Sequence, residues 1–290
     1  MNYRHAYHAG NFADVFKHVV LARIVEYLKR KEQAFRVIDT HAGIGRYDLE
    51  GTEAGKTAEW KQGIARLLDA ASAGAIPPDA GALLAPYLEV IRAENPDGAL
   101  KTYPGSPLVA RSLMRKQDRL SAIELHPDDA RTLSAPFAGD HQVRVIHLDG
   151  WLALGAHLPP KEKRGLVLVD PPFEKAGEFD RLVDGLVKGH KRFPGGTYAL
   201  WYPVKDRQEV KRFASRLHET GIPKILRLEL AIRAASPEPR LDGSGMIVVN
   251  PPYTLEDEMK LLLPCLTELL AEAKGASFTI EWVRREHVAT

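Results

Sequence analysis

The sequence predicts an α/β protein with a parallel, doubly wound sheet and a helical insertion after its first strand. Three observations predict it. A short apolar run at residues 35–38 ends in the small-residue turn Asp39-Thr40-His41-Ala42-Gly43-Ile44-Gly45, as a buried strand does when it feeds a nucleotide-binding loop. From residue 120 onward, strand-like runs alternate with helical patterns, the rhythm of parallel strands joined by crossover helices. Between these two stretches lie roughly eighty residues with no convincing strand, far more than an ordinary connection.

Element by element, residues 11–31 carry Phe12, Phe16, Val19, Val20, Ile24, Tyr27 and Leu28 at helical spacing, so one face is expected to pack on a core. Asn11 suits the N-cap, and Lys29, Arg30 and Lys31 suit the negative end of the helix dipole. The insertion, residues 46–102, holds two helical patterns at 58–73 and 81–94, with Gly/Pro/Asp-rich joints at 74–81 and 95–98. Further strands are expected at 120–125, 143–148, 165–170, 198–202, 225–232, 246–250 and 278–283, with helices at 179–188, 208–219 and 255–273. An antiparallel pair is expected to close the sheet.

Composition excludes several classes. The 290 residues are 44% hydrophobic, enough for one large domain or a domain with an insertion. Forty Lys+Arg against 38 Asp+Glu leave a net charge of +2, so no polyelectrolyte is indicated. The single Cys265 excludes a disulfide scaffold and a cysteine-rich zinc site, and fits a reducing compartment. Apolar stretches such as residues 261–270, broken by Pro264 and Glu268, fall short of a membrane span. The opening MNYRHAYHAGNFADVFKH has no apolar signal core. A cytoplasmic protein without membrane contact is expected.

The strongest local signal is Asp170-Pro171-Pro172-Phe173, directly after the strand-like GLVLVD. Adjacent prolines fix an extended backbone, so the Asp170 carboxylate and a proline carbonyl can face one point beside an aromatic ring. Two acceptors and a stacking surface suit the exocyclic amino group of a flat heterocycle. A second string, Asn250-Pro251-Pro252-Tyr253, also follows a strand. Rank along the chain decides between them. Counted from Asp39 through Glu124 and Asp149, Asp170 ends the fourth strand, whereas Asn250 comes three strands later and reads as a structural turn.

The loop DTHAGIG lacks the GxGxxG order of dinucleotide enzymes, but Gly43 can let a cofactor approach the backbone. Glu124, at the second strand's end, can accept both ribose hydroxyls. Asp149, followed by Gly150, can accept from an adenine amino group. Tyr103-Pro104-Gly105-Ser106-Pro107 reads as a loop at the crevice edge from which Ser106 can reach a methionine end. Acid, acid and DPPF in successive strands fit S-adenosylmethionine as cofactor. His5, His8, His18 and His41 match no zinc spacing, so no metal is expected. Tyr3, Arg4, His5 and Tyr7 mix aromatic and basic groups that can stack bases and hold phosphates. Basic clusters at Arg111/Arg115/Lys116/Arg119, Lys161/Lys163/Arg164, Lys188/Lys191/Arg192 and Lys205/Arg207/Lys211/Arg212 are interspersed with acids and read as solvated faces unless the fold gathers them at the DPPF mouth.

YRHAYHAGNFADVFKH, DTHAGIGRYDL, YPGSPL, ELHP, RGLVLVDPPFE, YALWYPV and SGMIVVNPP together resemble the RlmJ family, bacterial 23S ribosomal RNA adenine-N6 methyltransferases, over essentially the whole chain. The resemblance implies a Rossmann-like class I S-adenosylmethionine-dependent methyltransferase sheet, with residues 1–45 and 103–290 as catalytic domain and 46–102 as helical insertion subdomain. It implies that His18, His41, Ser106, Glu124, Asp149 and Gly150 line the cofactor site and that Asp170 is the catalytic acceptor. Tyr3, His5 and Lys17 then lie near cofactor and substrate base. Phe173 stands where tyrosine is common in the family, and both rings stack. The partner implied is 23S ribosomal RNA, and a monomer is expected.

In the mechanism expected, an unpaired or flipped adenine is held by Asp170 and a proline carbonyl and stacked on Phe173, and its N6 attacks a methyl group in line. Prior proton abstraction by a carboxylate is not expected, because an adenine amino group is far too weak an acid. The same chemistry on DNA adenine, a non-catalytic nucleic-acid-binding protein, and more distantly a nicotinamide dehydrogenase are the alternatives.

Overall fold

The computed structural model describes residues 5–238 and 240–286. The chain opens with helix α1 (Phe12–Lys29) and strand β1 (Arg36–Asp39), then β2 (Arg46–Asp48), helices α2 (Thr52–Thr57), α3 (Ile64–Ser72) and α4 (Pro78–Ala93), and β3 (Thr102–Pro104). There follow α5 (Ser106–Leu113), β4 (Arg119–Glu124), α6 (Pro127–Ser134), β5 (Val143–His147), α7 (Gly150–Ala156) and β6 (Gly165–Val169). The remainder is α8 (Glu178–Arg192), β7 (Thr197–Val204), α9 (Arg207–Glu219), β8 (Ile225–Ala231), β9 (Gly243–Val249), α10 (Leu255–Leu270) and β10 (Ser277–Arg284). No helix among the described residues is long and apolar enough to cross a membrane.

Eight strands form one sheet in the order β5-β4-β1-β6-β7-β9-β8-β10. β5, β4, β1, β6 and β7 run parallel, while β9 is antiparallel to both β7 and β8, and β10 is antiparallel to β8. The sheet thus ends on an antiparallel pair, β8 with β10, and β9 is a further antiparallel strand inside it. β9 slots between β7 and β8, and β10 adds an edge. The connection order reverses between β1 and β6, the crevice where open α/β sheets bind ligands.

Alternate residues of each central strand serve two cores, as the two-residue period of a strand requires. Val37, Leu166 and Leu168 belong to the core shared with α1, α5, α10 and the insertion, and Ile38, Val167 and Val169 to the core under α7, α8 and α9. Asn11 caps α1, its side chain accepting from the Ala13 and Asp14 amides at 3.0 Å. α1 departs from the one-sided helix its pattern predicts, because Phe12 to Val25 are buried without interruption. Ile64, Leu67, Leu84, Tyr87, Leu88 and Ile91 of the insertion share α1's core. An ion pair between Arg23 and Glu258 (2.9 Å) and a hydrogen bond from Arg23 to the Leu83 carbonyl (3.1 Å) tie α1 to both α10 and α4.

The insertion leaves and re-enters through a two-stranded clip, β2 pairing antiparallel with β3 and Tyr47 facing Tyr103. The segment expected as a loop at Tyr103 to Pro107 instead completes β3 and opens α5, with Ser106 and Pro107 in its first turn. Proline there costs nothing, since that N–H has no helical partner.

The two similar strings end on opposite edges of the sheet. Asp170 follows the carboxyl end of β6, whereas Tyr198 near the start of β7 pairs with Val249, so Asn250 lies at the amino edge. Asn250 adopts a positive φ of 49°, and its side-chain amide donates to the Pro194 and Gly196 carbonyls at 2.8 and 2.9 Å. That bonding makes it a turn lock. Two basic clusters also sit at the amino edge. Arg115 is spent on Asp118 and on the Lys29, Lys31 and Gln33 carbonyls, and Arg164 on the Leu28 and Gln33 carbonyls.

Candidate active site

The carboxyl ends of β1, β4, β5 and β6 bring Asp39, Glu124, Asp149 and Asp170 to one edge of the sheet. Glycines shape the space between them. Gly43 sits at φ 59°, and a Cβ there would come within 2.4 Å of the Tyr47 hydroxyl. A Cβ on Gly150 would lie 2.2 Å from the Thr40 carbonyl oxygen, so the start of α7 can approach the β1 turn only without a side chain. Glu124 is set by two backbone donors, Gly43 N–H at 2.9 Å and His126 N–H at 2.8 Å, one on each carboxylate oxygen. Each oxygen keeps a lone pair. Burial raises the Glu124 pKa despite those donors. Asp149 caps α7, accepting from the Trp151 amide at 2.8 Å.

His41 lies with Nδ1 2.9 Å from the Thr40 hydroxyl, its ring edge-on to Trp151 at 5.4 Å. Burial pushes its pKa down to about 4, so the ring is neutral at physiological pH. His18 is 1% exposed. Burial, reinforced by Lys17, lowers its pKa to about 3. Its Nδ1 lies 2.7 Å from the Tyr103 hydroxyl, and its Nε2 is buried with no protein partner among the described residues.

Around Asp170 runs a line of alternating charges that sequence reading recovered only in part. Lys17 Nζ lies 2.5 Å from Asp170 Oδ2 and 2.8 Å from Asp14 Oδ1, and His5 Nε2 lies 2.9 Å from Asp14 Oδ2. The Gly10 amide also donates to Asp14 Oδ2, at 2.9 Å. Burial opposes the charge on Lys17, but the carboxylates of Asp14 and Asp170 outweigh it and hold the ammonium well above its usual value. Burial likewise opposes the charge on Asp14, yet His5 and Lys17 hold its carboxyl well below the usual range. Ion pairs in a dry setting are strong only when both partners stay in place.

Asp39 is the other group the sequence reading passed over. It is 1% exposed and accepts from the Ser106 hydroxyl at 2.6 Å. Burial raises its pKa to about 7, with the nearby Asp170 charge adding to the rise against the Ser106 bond. Its signal was available, since it ends a strand as Glu124 does. The signal for Asp14 was its spacing of three from Lys17 on one helix face.

Pro171 is buried and Phe173 half-buried. Phe173 has a positive φ of 50°, uncommon for a bulky residue and of the kind found where function over-determines the backbone. Its ring is met edge-on by Phe179 at 5.0 Å and Trp201 at 5.8 Å. His5 packs edge-on against Tyr47 at 5.0 Å, and Tyr3 lies outside the described residues. The insertion reaches this N-terminal segment too, Glu59 pairing with His8 at 3.0 Å and accepting from Asn11 at 2.9 Å. The four histidines considered as a cluster thus engage different partners: Asp14, Glu59, Tyr103 and Thr40.

A parallel sheet whose order reverses between β1 and β6, with one antiparallel strand, β9, slotted between β7 and β8, is the class I methyltransferase fold, and a glycine-shaped turn with acids at successive strand ends sits where that class binds its cofactor. The model of the family described as "Ribosomal RNA large subunit methyltransferase D, RlmJ" matches residues 32–284, and the chain belongs to that family. Two relatives named ribosomal RNA large subunit methyltransferase J are similar over nearly their whole length. The Haemophilus influenzae protein is 47% identical over 287 residues, covering 99% of this chain and all of the relative. That of Escherichia coli K12 is 45% identical over 283 residues, covering 98% and 99%. A crystal structure of a Legionella pneumophila protein superposes with a TM-score of 0.84 at 36% identity, covering 94% of this chain and 98% of the other.

Proposed function

We propose that this chain methylates the N6 amino group of an adenine in 23S ribosomal RNA, with S-adenosylmethionine as methyl donor and the cytoplasm as its setting. The observation that carries the reading is the position of Asp170, one residue past β6 at the switch point, with the Phe173 ring three residues on. The donor fits the residues present. Glu124 keeps lone pairs for two ribose hydroxyls, Gly43 and Gly150 leave backbone room, and the buried Nε2 of His18 lacks a protein partner among the described residues. His41, Ser106 and Asp149 complete this side. When bound, the cofactor supplies an electrophilic methyl group on a sulfonium.

The chain's own residues do the rest. Asp170 and a proline carbonyl of Pro171-Pro172 accept the two N6 hydrogens, orienting the nitrogen lone pair toward the methyl. Phe173, braced edge-on by Phe179 and Trp201, stacks the base. Lys17 ties one Asp170 oxygen in place, which fixes the carboxylate for its second bond. The base reaches this point only unpaired or flipped. Tyr3 and His5 are assigned to contact with the base, and Lys205, exposed at the carboxyl end of β7, stands on the same edge as Asp170 for phosphate contact.

The test is transfer of labelled methyl to naked 23S ribosomal RNA, followed by mapping of N6-methyladenine. One modified adenine, lost with Asp170→Ala, is the expected result. Preference for duplex DNA would overturn the substrate, and absence of transfer to any RNA would overturn the enzyme.

A further inference from the structure

Three rings in series cross from the insertion to the cofactor side of the site. The hydroxyl oxygens of Tyr87, on α4, and Tyr103, on β3, lie 3.0 Å apart. The Tyr103 oxygen lies 2.7 Å from His18 Nδ1, and those two rings stack with centroids 5.5 Å apart. Both tyrosines are fully buried. Among the described residues the Tyr87 hydroxyl has Tyr103 as its hydrogen-bond partner, and His18 Nε2 has none.

Such a chain can run in two directions. Toward His18, the Tyr87 hydroxyl donates to Tyr103, the Tyr103 hydroxyl donates to Nδ1, and the imidazole carries its proton on Nε2. In reverse, Nδ1–H donates to Tyr103 and Tyr103 donates to Tyr87, which strands the Tyr87 O–H with no acceptor and leaves Nε2 a bare lone pair. A buried donor without an acceptor forfeits a hydrogen bond outright. The forward direction leaves one donor unspent, the Nε2–H. An acceptor at Nε2 completes the forward chain, whereas nothing at Nε2 rescues a hydroxyl stranded at the far end, inside the insertion. Burial keeps the ring neutral across physiological pH, and every arrangement with the proton on Nδ1 strands one of the two tyrosine hydroxyls.

We propose that Tyr103, backed by Tyr87 of the insertion, is a positioning residue that locks His18 in the Nε2–H tautomer, presenting a neutral N–H donor to an acceptor atom of the bound cofactor. The proposal rests on the cofactor reading given above. It gives the insertion a part in the site: α4 ends the wire, and β3, the returning leg of the clip, carries the middle ring. Hydrogen bonds in series polarise one another, so the Tyr87 hydroxyl makes Tyr103 a stronger donor to Nδ1.

Nitrogen NMR of histidine-labelled protein reads the tautomer directly. In the ligand-free wild type, His18 is expected with Nε2 protonated and Nδ1 bare, unchanged from about pH 5 to pH 8, where an ordinary histidine titrates. Tyr103→Phe is expected to release the preference, so that both tautomers are populated. It should weaken S-adenosylhomocysteine binding, measured by calorimetry, about tenfold, the size of one hydrogen bond, with KM for RNA unchanged. Tyr87→Phe keeps the tautomer, since Tyr103 can still donate, and weakens binding only about two- to threefold. A wild-type ring protonated on Nδ1 overturns the proposal without any variant having to fold. So does a folded Tyr103→Phe protein that keeps both the tautomer and wild-type affinity. A wild type that binds no S-adenosylhomocysteine overturns the cofactor reading instead, and the spectrum still decides the tautomer.

Discussion

Replacing Asp39 with asparagine should change how stability depends on pH, in a direction the structure fixes. Burial raises the Asp39 pKa to about 7 from an ordinary 3.8, with the Asp170 charge adding to the rise. A carboxyl that is harder to ionise in the fold than in the unfolded chain favours the fold fully below pH 3.8, and that advantage is lost as pH climbs through 7. Integrated from pH 5 to pH 8, the loss is about 2–3 kcal/mol. Asparagine keeps an oxygen for the Ser106 hydroxyl, which donates to Asp39 at 2.6 Å, and has no proton to lose. The assay is urea unfolding of wild type and Asp39→Asn at both pH values. The stability of the variant relative to wild type should rise by about 2–3 kcal/mol between pH 5 and pH 8. Taking the difference between the two proteins cancels the titrating groups that Asp39 does not touch. A difference that stays flat between these pH values would falsify the reasoning, because Asp39 would then ionise as it does in water.

Other perturbations separate the site from its scaffold. Asp170→Ala should lower methyl transfer at least a hundredfold, the ordinary weight of a group acting in the transition state, while circular dichroism shows the fold intact. Asn250→Ala should leave transfer unchanged in the same assay but lower stability by about 1–2 kcal/mol, since its amide holds two carbonyls of the turn before β7. Lys17→Met removes the cation shared by buried Asp14 and partly exposed Asp170 and should destabilise by about 3–5 kcal/mol in denaturant melts, with Lys17→Met/Asp14→Asn recovering part of the loss. Gly150→Ala drives a methyl group against the Thr40 carbonyl, 2.2 Å away, and should weaken S-adenosylhomocysteine binding by at least tenfold in calorimetry.

The central strands were legible because both faces of each are covered, and such strands appear as unbroken apolar runs. Rank along the chain separated Asp170 from Asn250, and the two lie at opposite edges of the sheet. Rank works here because parallel strands all end at one edge, whereas β9 runs the other way. Less legible was whatever depends on two distant segments meeting. α1 reads as amphipathic, yet it is buried all round because α4 and α10 cover what would otherwise be its solvent face. The clip of β2 and β3 is too short, at three residues each, to show a period. Ser106 read as a loop residue because YPGSP is rich in turn formers, though proline and serine open helices equally well. The basic clusters at Arg115 and Arg164 looked like solvated faces, and their guanidinium groups instead bind carbonyls at the amino edge. Asp39 and Asp14 carried positional signals, a strand end and a spacing of three from Lys17, but the direction in which each pKa moves comes from neighbours a one-dimensional string does not show.

The burial of α1 also bears on how the chain is made. This helix is made before the elements that cover its outer face, the insertion and α10, and Arg23 waits for a partner, Glu258, 235 residues downstream. Contacts so distant in sequence close late, so a nascent chain carries part of α1 uncovered until α10 has been made. Synthesis that stalls before α10 leaves an apolar rod exposed, the kind of surface that chaperones bind and that aggregates when they do not. Loss of the last two elements is therefore expected to yield insoluble protein rather than a shortened enzyme.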